Sequence, residues 1–151
     1  MYKRQGNRGI SGIEGSTSTA LGSASVHSKT NILITGDLSF IYDQNGLWNN
    51  HIPNNLKLFV FNNQGGGIFK IISGPKNTPF LEEYFETKHE LSLKSIAQTH
   101  HLNYHCAKNE KEAEQIIPSV LESNQFEIVE FFTGNVENEK ILNDYFSVIK
   151  K

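Results

Sequence analysis

Apolar residues in this chain fall into short unbroken runs that alternate with longer stretches of helical spacing. Asn31 to Thr35, Leu56 to Phe61 and Phe126 to Phe132 are short runs rich in β-branched or aromatic residues. Such runs predict buried strands. Leu102-Asn103-Tyr104-His105-Cys106 fits a further short strand. Between them the period changes. Lys111 to Ser123 gathers Ala113, Ile116, Ile117, Val120 and Leu121 on one helical face, and Ser92 to His101 does the same with Leu93, Ile96 and Ala97. Glu139 to Lys150 reads as a closing helix. Ser16-Thr17-Ser18-Thr19, leading into Ala20, Gly22, Ser23 and Ala24, predicts a helix capped by a hydroxyl and packed closely on a sheet. A short helix is expected from about 43 to 51, ended by Pro53 and bearing Trp48 as a packing residue. Ile68 to Ser73 is apolar but short, and Gly74-Pro75 breaks it. Strands alternating with helices predict an α/β fold, a parallel sheet in three layers.

Composition narrows the classes of function. At 151 residues the chain suits one domain. Its 14 basic and 16 acidic residues form no basic stripe, which argues against nucleic acid. The single cysteine, Cys106, excludes an internal disulfide and suits a cytoplasmic location. No apolar stretch approaches the roughly 20 residues of a membrane span, and the N-terminus lacks a signal-peptide core. Residues 1–6 show no pattern of their own, so they are expected to be a non-native or truncated edge. Residues 7–151 would then be the C-terminal part of a longer protein.

Candidate chemistry sits where two strands end. Gly36-Asp37-Leu38-Ser39 follows the first run, and Asn62-Asn63-Gln64-Gly65-Gly66-Gly67 follows the second. In parallel α/β sheets, ligands bind just outside the carboxyl ends of the strands. A crossover joining the two strands as neighbours would bring Asp37 and Asn63 to one ion. Magnesium takes hard oxygen ligands and commonly bridges phosphates, so Asp37, Asn63 and a carbonyl near Gly65 form a candidate metal set. Amides of Leu38 and Ser39 would donate to a phosphate. Taken singly, each segment also reads as ordinary turn chemistry. Their pairing at successive strand ends, with 25 residues between Asp37 and Asn63, favours the site.

Those residues carry a family resemblance. Gly36-Asp37 with Asn63 at that distance resembles the magnesium and diphosphate signature of thiamine diphosphate enzymes. Gly36-Asp37-Leu38-Ser39, the loop Asn7-Arg8-Gly9-Ile10-Ser11-Gly12-Ile13-Glu14-Gly15, the stretch Asn62 to Phe69 and Tyr84-Phe85-Glu86-Thr87-Lys88-His89 resemble one branch. That branch is the 2-succinyl-5-enolpyruvyl-6-hydroxy-3-cyclohexene-1-carboxylate synthases of menaquinone biosynthesis. The similarity covers nearly all of 7–151. It implies the diphosphate-binding domain of the thiamine diphosphate-binding fold, with thiamine diphosphate and Mg2+ or Mn2+ as cofactors. Asp37, Asn63 and the Gly65 carbonyl would hold the metal, and Gly36, Leu38 and Ser39 would line the diphosphate. Ile13 would prop the bent cofactor while Ser11 and Gly12 hold its pyrimidine. Arg8 would bind a substrate carboxylate, a role suited to its forked donors. Ile68 and Phe69 would form an apolar wall beside the substrate, although both also fit ordinary core.

The resemblance further implies a transferase that decarboxylates 2-oxoglutarate and adds the succinyl carbanion to isochorismate. The activating glutamate would come from a pyrimidine-binding domain of a partner subunit in a homo-oligomer, a dimer. No such domain is found here, so the chain alone is expected to be inactive, and no catalytic residue is assigned within it. An acetolactate-synthase-like carboligase or decarboxylase would share the metal motif but should lack Arg8 and the Leu38-Ser39 pair. A non-catalytic cofactor-binding module is the other alternative. An unrelated nucleotide binder is disfavoured, since no phosphate loop or dinucleotide fingerprint is present. His100, His101 and His105 make a poor metal set because adjacent histidines point apart. Asp43 and Glu14 read as surface or capping residues, and Cys106 as a small buried hydrophobe.

Overall fold

The computed structural model describes Gly6 and residues 12–149. Arg8, Ser11 and residues 1–5 of the expected edge lie outside the described residues. The elements in chain order are α1 (Ser16–Val26), β1 (Asn31–Gly36), α2 (Asp37–Tyr42), β2 (Leu56–Asn62), α3 (Leu93–Thr99), β3 (Asn103–Ala107), α4 (Glu110–Glu122), β4 (Glu127–Phe132) and α5 (Asn135–Ile149). Short 3-10 turns occupy Gln44–Trp48, Gly67–Lys70 and Pro75–Asn77, and Leu81–Phe85 forms a π-helical turn.

The four strands pair in the order β1-β2-β4-β3, all parallel. Register sorts their side chains between two faces, because successive residues of a strand point to opposite sides. Leu33 pairs with Leu58, and Leu58 with Ile128. These residues face Leu21 and Ala24 of α1, Phe40 of α2, and Leu93 and Ala97 of α3. Phe59 and Val129 face the other way, toward Val120 and Ile116 of α4. Helices therefore cover both faces of a parallel sheet, the α/β layering expected from the alternating pattern. Fully burying a residue such as Leu58 or Ile128 stabilises the fold by about 1.5–3 kcal/mol.

Several local expectations are corrected. The first strand is not buried on both faces: β1 is an edge strand, and Ile32 and Ile34 are 50% and 66% exposed. No serine or threonine caps α1. Its N-cap is Gly15 at φ 76°, and Asp43 reaches across instead. The Asp43 carboxylate accepts from the Ser18 amide at 2.6 Å and from the Ser18 hydroxyl, so this capping residue is buried rather than on the surface. A carboxylate at a helix start is favoured by the helix dipole as well as by these bonds. The helix expected at 43–51 is a 3-10 turn, preceded by the short helix α2, because the chain leaves helical geometry at Asp43. Within that turn Leu47 points inward and Trp48 is 77% exposed, so Trp48 is not a packing residue.

Helix α4 carries its own start signal. Asn109 accepts from the Glu112 amide at 3.0 Å, and the Glu112 carboxylate accepts from the Lys108 amide. The Lys108 amide first, and the Asn109 side-chain amide donating at 2.7 Å second, hold the Glu112 carboxyl below its usual range. Exposed Pro118 lies within the helix, which continues past it to Glu122 with one ladder bond fewer.

Candidate functional site

A cavity of about 790 Å³ opens at the carboxyl ends of β1 and β2. Gly36, Asp37, Leu38 and Ser39 form one side, and Asn63 with Gly65, Gly66 and Gly67 the other. Gly12, Ile13, Ile68 and Phe69 also line it, as do Asn138, Glu139 and Leu142 of α5. Among the described residues, every site residue proposed from sequence therefore borders this one space. Ile68 is 61% exposed and so is not core, whereas Phe69 is half-buried against Phe85.

Adjacent parallel strands produce this convergence. Gly36 is in register with Phe61, so Asp37 leaves the sheet beside Asn62, with Asn63 one residue further along. Asp37 is 2% exposed and is the first residue of α2. Its Oδ1 accepts from the Leu38 amide at 2.8 Å, and its Oδ2 accepts from the Gly65 amide at 3.0 Å. The Leu38 amide, expected to face a phosphate, is thus engaged by Asp37. The Ser39 hydroxyl donates to the Ile13 carbonyl at 2.6 Å and pairs with the Ser16 hydroxyl at 2.7 Å, tying the Gly12–Ile13 loop to α2.

The second loop is turned by Asn62 rather than by Asn63. Asn62 Oδ1 accepts from the Gln64 amide two residues on, at 2.8 Å, the bond by which asparagine mimics a backbone turn. Asn63 is spared that task and lies on the cavity wall. Close approach to backbone requires glycine at Gly65, whereas a side chain at Gly67 would make the Asn63 side chain shift. A Cβ at Gly65 would stand 2.7 Å from the Glu86 carbonyl oxygen, and one at Gly67 would stand 2.6 Å from Asn63 Nδ2.

Beneath this loop, Asn62 Nδ2 donates to the buried Glu130 carboxylate at 2.5 Å, and the Tyr104 hydroxyl donates to the other Glu130 oxygen. Burial first, and the Glu130 contact second, push the Tyr104 hydroxyl well above its ordinary pKa. A second buried group, Lys57, donates to the carbonyls of Ser123 and Gln125. Burial lowers its pKa, with Glu127 opposing the shift.

Sequence reasoning gave no role to the segment that covers the loop. The Gly66 amide donates to the Glu86 carbonyl at 2.6 Å, and the His89 amide donates to the Gln64 carbonyl. Fully buried Glu86 is paired with Lys70 at 2.8 Å and with Lys88 at 3.6 Å. His89 Nε2 lies 3.1 Å from Asp37 Oδ2. The only signal in the sequence was the motif Tyr84 to His89 itself, which has no periodicity to place it.

Among the described residues, no group of three or more histidine, cysteine, aspartate or glutamate side chains could hold a metal, which disposes of the His100–His101–His105 set. Asp37, Asn63 and Gly65 instead meet on the cavity wall, where the Gly65 carbonyl accepts from the Gly67 amide at 3.1 Å. No described helix is long and apolar enough to cross a membrane.

No protein-family model matches the chain. Curated relatives do. The chain is 46% identical over 146 residues to the 2-succinyl-5-enolpyruvyl-6-hydroxy-3-cyclohexene-1-carboxylate synthase of Christiangramia forsetii, covering 95% of this chain and 25% of the relative. The same-named protein of Flavobacterium psychrophilum is 46% identical over 140 residues, covering 93% and 26%. That of Porphyromonas gingivalis is 42% identical over 144 residues, covering 95% and 25%. Among solved structures, benzoylformate decarboxylase from Polynucleobacter necessarius shares the fold, with a TM-score of 0.61 at 17% identity over 77% of this chain and 22% of that one. Similarity that runs along almost the whole chain, at a quarter of its relatives' length, places it in the family of 2-succinyl-5-enolpyruvyl-6-hydroxy-3-cyclohexene-1-carboxylate synthases.

Proposed function

We propose that the chain supplies the divalent-cation and diphosphate site of a thiamine diphosphate-dependent transferase of menaquinone biosynthesis. The whole enzyme decarboxylates 2-oxoglutarate and joins the remaining four-carbon unit to isochorismate, giving the product for which its relatives are named. The observation that carries this reading is the meeting of Asp37, Asn63 and Gly65 on the wall of one cavity. Their oxygens fit magnesium or manganese, which favour carboxylate, carboxamide and carbonyl ligands. One carboxylate is a weak set by itself, so the cation needs the charge of a diphosphate to complete its shell.

Asp37, Asn63 and the Gly65 carbonyl hold the cation in this reading. Gly36, Leu38 and Ser39 line the diphosphate, with Ser39 rather than Leu38 offering the amide. Ile13 and Gly12, with Ser11, support the rest of the cofactor, whereas Arg8 would take a substrate carboxylate; both Ser11 and Arg8 are assigned from the resemblance alone. Ile68 and Phe69 exclude water on the substrate side. When bound, thiamine diphosphate supplies the electron sink for loss of carbon dioxide. A pyrimidine-binding domain of a partner subunit supplies the activating glutamate, so residues 7–151 act as the C-terminal domain of a homo-oligomeric, cytoplasmic enzyme.

Calorimetric titration of the chain with thiamine diphosphate tests this. Binding is expected only with magnesium present and is lost in Asp37→Ala, while an assay with both substrates shows no turnover by the chain alone. Binding indifferent to magnesium would overturn the site. Robust turnover would overturn the need for a partner domain.

A further inference from the structure

We propose that His89 is the positioning residue of the cation site, holding Asp37 so that its Oδ1 is the oxygen left for the metal. This rests on the cation reading above. The His89 side chain is only 9% exposed, and its Nε2 lies 3.1 Å from Asp37 Oδ2. Its other ring nitrogen settles which group donates. The Leu91 amide donates to His89 Nδ1 at 3.2 Å, so Nδ1 carries no proton. The ring proton therefore sits on Nε2 and points at the carboxylate.

A count of acceptor sites follows. A carboxylate oxygen offers about two. Among the described residues, Oδ2 is filled by His89 Nε2–H and by the Gly65 amide, whereas Oδ1 accepts only the Leu38 amide. The spare position is on Oδ1. A neutral ring fixes the rotamer without cancelling the carboxylate charge, which stays available to a cation. The same segment is locked to the metal loop, since the His89 amide donates to the Gln64 carbonyl and the Glu86 carbonyl accepts from Gly66. His89 thereby couples the tip of β1 to the loop after β2. Hydrogen-bonded partners of metal-binding groups typically contribute 10–100-fold in metal affinity.

The test measures apparent Mg2+ affinity calorimetrically at fixed thiamine diphosphate for the full chain and for Asp37→Ala, His89→Ala and His89→Gln. Glutamine can present an amide donor near the position of Nε2. Asp37→Ala is expected to abolish binding, His89→Ala to weaken it about 10–100-fold, and His89→Gln to recover most of the loss. Should His89→Ala fail to fold, the glutamine variant decides. Wild-type affinity in His89→Ala, or a folded His89→Gln as weak as the alanine variant, overturns the positioning role while leaving the cation site standing. Unchanged binding in Asp37→Ala overturns both.

Discussion

Asp37 and Glu130 are both 2% exposed carboxylates near the carboxyl ends of strands, yet their surroundings differ. Glu130 lies between strands, and both its oxygens are taken by Asn62 and Tyr104. Asp37 borders a cavity, and its three donors come from α2, the glycine loop and the covering segment. The first arrangement closes a polar group inside the sheet and transmits order to Asn62, whose other atom turns the loop. The second holds a charge in a fixed direction beside open space. A buried acid with its acceptors filled is structural; one that keeps a spare acceptor position beside a cavity is where we propose that a ligand binds.

The contrast can be broken from either side. Glu130→Ala should lower stability most, by about 3 kcal/mol, because it strands the buried Asn62 amide and the half-buried Tyr104 hydroxyl; denaturant unfolding measures this. A loss below about 0.5 kcal/mol would mean Asn62 and Tyr104 find other partners. Asn109→Ala should cost about 1 kcal/mol through loss of the α4 cap, with no change in cation binding, since α4 lies away from the cavity. Equal losses of cation affinity in this variant and in Asp37→Ala would remove the distinction between the two regions.

The smallest expected effect is alkaline. A tyrosine ionises near 10 when unfolded, and Tyr104 resists ionisation in the fold. Its raised pKa gives stability that is present below about pH 10 and declines as pH rises further. The spectrum of wild type minus Tyr104→Phe should show no phenolate absorbance above pH 10 until the chain unfolds. Lys57 is common to both proteins and cancels in that difference. Early absorbance would place Tyr104 in water.

Regular packing was readable from the sequence where periodicity decides it. Val120 on α4, Leu93 and Ala97 on α3, and the run around Ile128 all point where their spacing sends them. Position within the sheet was not readable, because β1 and β2 carry similar runs and only strand order makes one an edge. Asp37 and Asn63 stood out because polar residues ended apolar runs. His89 and Asn62 did not, since their partners lie 52 and 68 residues away, His89 with Asp37 and Asn62 with Glu130. Contacts of that span leave no local pattern.

Anomalous diffraction from crystals of the chain grown with Mn2+ and thiamine diphosphate tests the cation site most directly. One peak about 2.1 Å from Asp37 Oδ1 and from the Asn63 side-chain oxygen is the expected result. A peak elsewhere, or none at this cavity, would contradict it.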